Sequence, residues 1–312
     1  MKLNDPIYIA GHTGLIGSAL MRYFKANGFT NLITSTRLKL DLTDSLAVDR
    51  FFRTFRPKFV FLAAGHVGGI VENQTHPVDF INSNISIQLN VLQAAHRYNV
   101  SKLLFFGSSC MYPRECIQPM SESDLLSGKP EETSIAYAVS KLAGLQMCFA
   151  YNKQFGEQKF IPVIPNSAYG PFDNFDPSSG HVLSVLIRKF YEAKQKSMSY
   201  ISLWGTGNPR REFIHADDIA TASAFLMMYD ENNLDLPLNI GVGIDYSIKE
   251  LANYIANVVG YTGEIRWDAS KPDGAPKKLL DSRRIKSLGW APKISLEQGI
   301  KSTYKWFLEN EL

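Results

Sequence analysis

Short apolar runs alternate with longer amphipathic stretches along the first half of the chain. IYIA precedes SALMRYFKANG, NLITS precedes SLAVDRFFRTF, FVFLAAG precedes SNISIQLNVLQAAHRYN, and KLLFFGSS precedes IAYAVSKLAGLQMCFAYNKQFG and FIPVIP. Runs rich in β-branched and aromatic residues, separated by helical periods, predict a parallel sheet with helices on both faces. The expected architecture is therefore α/β: a doubly wound Rossmann sheet over residues 1–166, rejoined by parts of about 212–240. A smaller α/β substrate lobe is expected from 167–211 and about 241–312. In that lobe loops rich in Pro, Gly and Asn (PNSAYGPFDNFDPSSG, WGTGNPRREF, SKPDGAPKK) separate a helix over SIKELANYIANVV, a strand over EIRW and a last helix over LEQGIKSTYKWFLENEL. Ligands of such sheets sit beyond the carboxyl ends of the strands, where a late lobe closes over them.

Composition narrows the class. At 312 residues the chain exceeds the ~250–300 residues at which a single core stops growing, and 45% apolar with 20% charged residues is an ordinary globular balance. A formal charge of +3 is no footprint of a dedicated nucleic-acid binder. Three cysteines without C-x-x-C spacing point to reduced thiols and a cytoplasmic setting. MKLNDP is no secretory leader, and no apolar run suits a bilayer.

IYIAGHTGLIG places Gly11, Gly14 and Gly17 between the first strand and the first helix. Glycines there permit a sharp turn and let the backbone approach a pyrophosphate at the helix N-terminus, so a dinucleotide site is expected. The second strand ends in Thr36-Arg37, where an acid would bind an NAD ribose and an arginine suits a 2′-phosphate. NADP(H) is expected. Asp41 and Leu42, after a third short β-like run, are placed beside the adenine, and Ala63, Ala64 and Gly65 beside the ribose and phosphates. Asp217 or Asp218 is expected to cap a helix over IATASAFLMM, which explains the HADD cluster without a metal.

Tyr137 and Lys141 stand four apart, on one face of a helix whose start offers Thr133 or Ser134 as cap. A phenol ionises near 10, and a neighbouring ammonium pulls that down. Ser108, at a preceding strand's end, adds a hydrogen-bonding hydroxyl, with Ser109 as the alternative. Cys110 follows directly; a free cysteine there is either a buried small hydrophobe or a reactive group.

The motifs AGHTGLIGSAL, HVGGIVENQTHP, KLLFFGSSCMYP, YAVSKLAG, YGPFDNF, SGHVLSVLIRKF, WGTGNPRREFIHADDIA and SKPDGAPKKLLD together resemble the extended short-chain dehydrogenase/reductases. Within them the chain is most similar to the epimerase-reductases that convert GDP-4-keto-6-deoxymannose to GDP-L-fucose. The resemblance implies that Cys110 is the base and His181 the acid that invert C3 and C5, both acidified by the C4 ketone. It implies that hydride from NADPH then reduces C4 while Tyr137 protonates the oxygen, Ser108 hydrogen-bonds it and Lys141 lowers the tyrosine pKa and holds the ribose. By the same resemblance the cofactor lies along Gly11, Thr13, Gly14, Leu15, Ile16 and Gly17, Arg37, Asp41, Leu42, Ala63–Gly65, Lys141, Pro165, Asn166, Ser167, Ala168 and His181. Arg188, Trp204, Arg211 and Asp273 hold the GDP moiety, and the chain forms a homodimer.

Three positions depart from the family's pattern. Thr13 replaces an arginine of the glycine loop, leaving the 2′-phosphate to Arg37; His66 replaces a lysine; and Asn166-Ser167-Ala168 stands where relatives read NL before YGP. Reduction or epimerisation of another GDP-4-keto deoxyhexose or heptose is therefore the alternative, and a silent dinucleotide-binding protein a remoter one.

Overall fold

A computed structural model describes residues 1–229, 236–271 and 273–312. Residues 230–235, inside the 212–240 segment discussed above, and 272, inside SKPDGAPKK, lie outside the described residues.

The chain runs β1 (Ile7–Ala10), α1 (Leu15–Ala26), β2 (Leu32–Ile33), α2 (Ser45–Phe55), β3 (Phe59–Leu62), α3 (Ile70–Thr75), α4 (Pro77–Arg97), β4 (Lys102–Phe106), α5 (Ile135–Phe155) and β5 (Phe160–Pro165). It continues through β6 (Ser167–Tyr169), α6 (Val182–Gln195), β7 (Tyr200–Trp204), β8 (Arg210–Arg211), β9 (Phe213–His215), α7 (Ala216–Met228) and β10 (Leu238–Ile240). Last come β11 (Tyr246–Ser247), α8 (Ile248–Val259), β12 (Glu264–Asp268), β13 (Lys277–Lys278), α9 (Arg283–Ser287) and α10 (Leu296–Asn310).

Six strands form one parallel sheet in the order β10-β5-β4-β3-β1-β2. Alternating side chains supply two apolar layers, as strand geometry requires. Tyr8, Val60, Leu62, Leu103 and Phe105 face α2, α4 and α5 through Phe52, Val91 and Leu145. Ile7, Ile9, Phe59, Phe61 and Leu104 face α1 and α7 through Leu20, Phe24 and Ile219. The chain winds outward from β1 to β2 and then crosses to β3 on the other side of β1, so the strand order reverses between β1 and β3. The glycine turn sits at that switch point, where a crevice opens.

A third core joins α6, α8 and α10 through Phe190, Leu251, Ile255, Ile300 and Phe307. The segment around 280–290, expected in the lobe, instead packs on the sheet: Leu280 enters one face and Ile285 and Trp290 the other. The third β-like run, LKLDL, is a turn. Asp41 there accepts hydrogen bonds from Thr43 N and Oγ1, at 2.9 and 2.8 Å, closing a local loop in place of a ladder. The sequence reading also missed α3, in GGIVENQT.

Buried Glu212, between β8 and β9, ties the layers together. Its carboxylate accepts from Asn166 Nδ2 at 2.5 Å, Gly243 N at 2.6 Å and Leu280 N at 3.0 Å. All three are donors, so an amide in its place turns an NH₂ against N–H groups. Leaving a buried donor unpaired costs ~1–3 kcal/mol. Glu212→Gln is expected to lower unfolding free energy by at least ~1 kcal/mol in urea titration, and an unchanged midpoint would deny the node its structural role.

Candidate active site

The glycine turn closes against the end of β3. Gly11 has φ of 81°, and a Cβ there would lie 2.7 Å from Ala64 N; one at Gly17 would lie 2.0 Å from Gly11 O. Only glycine fits either place. Gly14 is the N-cap of α1 and offers no side-chain cap, and no acid stands in the first turn, so the helix's first N–H groups face outward unshielded by side-chain charge. His12 Nδ1 is buried there without a hydrogen-bond partner among the described residues. This cradle fits a dinucleotide pyrophosphate. Thr13, in the turn, and Arg37, past the end of β2 and acting on Asp41, are exposed, Leu15 and Ile16 pack on the sheet core, and Leu42, expected at the adenine, is buried in the core.

Gly65 leads from this cradle to the chemical centre, since a Cβ there would lie 3.5 Å from Lys141 Nζ. Lys141 is buried on α5 and donates to Phe106 O at 2.9 Å. Burial lowers its pKa to about 8. Tyr137, one turn earlier, is buried too. Burial pushes its phenol up, the Cys110 charge adds to this, and a hydrogen bond with Ser108 only partly offsets them. The fall in tyrosine pKa expected from Lys141 is thus not what this geometry gives: the ammonium stands 6.0 Å from the ring centroid and desolvation dominates.

Beyond β4 the chain tightens into a single 3₁₀ turn, residues 109–111, that Ser108 caps by accepting from Cys110 N at 3.2 Å. The hydroxyl of Ser108 also reaches Tyr137 and the Cys110 thiol. Ser109 is buried. Of the two serines, Ser108 therefore joins the cluster. Burial would raise the Cys110 pKa, but the Lys278 ammonium, with Nζ at 3.8 Å, and the Ser108 and Ser134 hydroxyls outweigh it and leave the thiol below its ordinary value. The other thiols lie elsewhere: Cys148 is in the core, and burial beside Asp124 lifts Cys116 to about 11.

His181 is exposed at the N-terminus of α6, and its side chain makes no cap bond. Its loop is tied to the start of α3 through Gly69 N, which donates to Ser179 O at 3.0 Å, and His181 itself acts on the buried Asp173 carboxyl. His66 stacks on Phe80 at 4.3 Å, and Phe80 meets Tyr137 edge-on at 6.1 Å. Arg211 sits near Cys110, Asp273 and Glu131, with Nη1 donating to Ala275 O at 2.6 Å. Asp273 binds Thr206 N at 2.9 Å, next to Gly205 and exposed Trp204. Arg188 is not drawn to these groups by any bond among the described residues; it pairs with Glu192 on its own helix at 2.9 Å. Pro165 ends β5, and the Asn166 side chain, expected at the cofactor, is turned to Glu212, while Ser167 and Ala168 enter β6.

Ser134 occupies the N-cap position of α5 without capping it. His215, not an aspartate, caps α7, accepting from Asp217 N at 3.2 Å, and Asp218 accepts from Lys293 N and Ile294 N. Two further neighbours act on Cys110: Lys278, which no motif marks as a site residue, and Ser134, expected as a helix cap. The doubled lysine of GAPKK was the available signal.

The family model for the NAD dependent epimerase/dehydratase family matches residues 7–241. The chain belongs to this family. Among characterised members it is 48% identical to the GDP-L-fucose synthase of Escherichia coli, over 98% of this chain and 97% of that protein. Among solved structures it is similar to an NADP-bound GDP-mannoheptose C4 reductase from Campylobacter jejuni, with 39% identity, TM-score 0.89 and 99% of each chain covered. An NADP-bound GDP-L-fucose synthetase from Naegleria fowleri gives TM-score 0.91 at 29% identity, over 100% of this chain and 96% of the other.

The buried ammonium of this epimerase/dehydratase yields a stability test. Lys141 is charged below about pH 8 when folded and below ~10.4 when unfolded. Between those values the unfolded chain holds the extra proton, so this group's contribution to stability rises with pH, and below about 8 it is at its least favourable. Lys141→Met is expected to raise unfolding free energy at pH 7 by ~1–3 kcal/mol, net of the lost bond to Phe106 O. The gain should fall steadily from about pH 8 upward and be gone before about pH 10.4, where only the lost bond remains; a gain independent of pH would contradict the buried charge.

Proposed function

We propose that this chain converts GDP-4-keto-6-deoxymannose to GDP-L-fucose, inverting C3 and C5 and reducing C4 with NADPH. One observation carries the reading: Ser108 holds the Cys110 backbone at 3.2 Å, and the Cys110 charge acts on the buried Tyr137 phenol, so a thiol base and a phenolic acid lie in one cluster. The full-length similarity to GDP-L-fucose synthase supports it.

Bound NADPH supplies the hydride for C4. The chain's own residues do the rest. Cys110 takes a proton from the carbon beside the ketone: the S–H bond forms, the C–H bond breaks, and the electron pair passes to the carbonyl oxygen. His181, on a loop docked at Gly69, returns a proton to the opposite face. Tyr137 gives its proton to the C4 oxygen during reduction, Ser108 hydrogen-bonds that oxygen, and Lys141 stays within reach of the cofactor ribose. Its raised pKa keeps Tyr137 protonated and ready to act as the acid. Gly11, Thr13, Gly14, Gly17, Arg37 and Ala63–Gly65 hold the cofactor, and Arg211, Trp204 and Asp273 hold the GDP. The six-stranded sheet is the cofactor domain and the α6–α8–α10 layer the substrate lobe. The protein works as a cytoplasmic homodimer. Exposed Val78, Leu89, Val139 and Phe155 on α4 and α5 support pairing through those helices.

A second reading, reduction of a GDP-4-keto heptose, is favoured by His66 in place of lysine and by the heptose reductase among similar structures. Incubation with GDP-4-keto-6-deoxymannose and NADPH in deuterated water separates the two. GDP-fucose labelled at C3 and C5 is the expected product. Unlabelled GDP-rhamnose means reduction without inversion, and no turnover of this sugar points to the heptose.

A further inference from the structure

The small sheet of β11, β8 and β13 sorts four cations by face. Lys277 pairs with Arg210 and Lys278 with Arg211 in parallel register, and neighbouring side chains on a strand point to opposite faces. On one face Arg210 and Lys277 both reach Asp245, Lys277 Nζ at 2.7 Å. On the other, Arg211 and Lys278 turn toward Cys110. The Arg211 guanidinium donates to the carbonyls of Arg210 and Ala275, at 2.8 and 2.6 Å. Lys278 has no carboxylate partner among the described residues, and its Nζ lies 3.8 Å from the Cys110 sulfur.

Its backbone is fixed as firmly. Lys278 O accepts from Glu212 N at 3.2 Å and from Asn166 Nδ2 at 3.5 Å, while Leu280 N reaches the Glu212 carboxylate. Ser134 comes from another element, at the start of α5. A serine at a helix N-cap ordinarily accepts from a first-turn N–H, yet Ser134 makes no such bond, and its hydroxyl is among the groups that lower the Cys110 thiol. It stands at the N-terminal, positive end of a 21-residue helix.

We propose that Lys278 and Ser134 are positioning residues for Cys110: the ammonium, 3.8 Å from the sulfur, pairs with the charged form of the thiol, and the hydroxyl, at the helix N-terminus, steadies it. The charged and titratable groups facing the sulfur are Lys278 from β13, Arg211 from β8 and Tyr137 from α5. Lys278 is closest in chemistry to an ion-pair partner, because Arg211 is engaged with carbonyls and Tyr137 is held protonated. When Cys110 takes a proton from carbon it becomes a neutral thiol, and Lys278 stays charged throughout, so the ammonium favours the base before transfer. The purpose of this arrangement rests on the epimerase reading, but the ionisation itself does not.

The test needs no substrate. Alkylation of the intact protein by iodoacetamide is followed at the Cys110 peptide by mass spectrometry across pH 5–10, with Cys116 and Cys148 as internal references. Lys278→Met is expected to raise the alkylation midpoint by about 1 unit, the low end for loss of an adjacent opposite charge. Lys278→Arg should restore most of the shift, and Ser134→Ala should give a smaller rise. A Lys278→Met midpoint equal to that of the parent protein overturns the proposal, as does failure of Lys278→Arg to recover it. Deuterium exchange at C3 and C5 is read separately. A moved midpoint with no exchange in the parent leaves the proposal standing and removes the epimerase reading, whereas exchange with an unmoved midpoint does the opposite.

Discussion

Glu212 is the buried carboxylate on which the composite site depends. It receives hydrogen bonds from the end of β5, from the turn after β10 and from the segment after β13. These are the three places where late chain is laid against the sheet that carries Ser108, Cys110, Tyr137 and Lys141. Burial pushes this carboxyl up, and the N–H donors around it oppose that. A charge so held ties register as well as position: Asn166 cannot move without losing Glu212, and β13 cannot slide against β8 without losing both. The site is therefore assembled by the folding of the second half of the chain onto the first.

Burial is common to the three reactive side chains, yet it takes them in different directions because their partners differ. Lys141 meets a carbonyl and two aromatic rings but no carboxylate among the described residues, and burial pushes it down to about 8. Tyr137 has a hydroxyl and a nearby thiol and is pushed up. Cys110 alone meets an ammonium and two hydroxyls, and it is lowered against the pull of desolvation. A thiol prone to lose its proton beside a phenol that keeps its own divides base from acid by environment. One serine, Ser108, touches both.

The parts legible in the sequence are those set by local periodicity. The glycine turn announces itself by spacing between strand and helix, and the four-residue step from Tyr137 to Lys141 places both on one face of α5. What stayed hidden depends on distant chain. Nothing local to LKLDL says that Leu40 and Leu42 enter the core from a turn while Leu38 stays exposed, since alternation alone reads as strand. Nothing local to Ser134 says that a good capping residue will leave its cap, because the competing partner arrives from residue 110. Lys278 is separated from its sulfur by 168 positions, and only the pairing of β13 with β8 turns it, rather than Lys277, toward the thiol. The cap of α7 was misplaced for the same reason: Asp218 is claimed by the backbone of residues 293 and 294, leaving His215 at the helix start.

The departures from the family's pattern fall unevenly on this framework. At the end of β5 the Asn166 side chain is bound to Glu212, so its change of place relative to relatives alters a structural knot and leaves Ser167 and Ala168 in β6. His66 is different in kind. Its ring lies against Phe80, its Nε2 is 3.3 Å from Glu72 Oε1, and its backbone N–H is held by Asn84 Oδ1 at 2.9 Å. A flexible lysine would carry a mobile charge over this rim, whereas the stacked imidazole presents a fixed edge paired to a carboxylate. Through Phe80 that edge is set against Tyr137, the residue proposed to meet the C4 oxygen. The change at the rim is therefore the one packed, through Phe80, against Tyr137, whereas the other is buried in the knot.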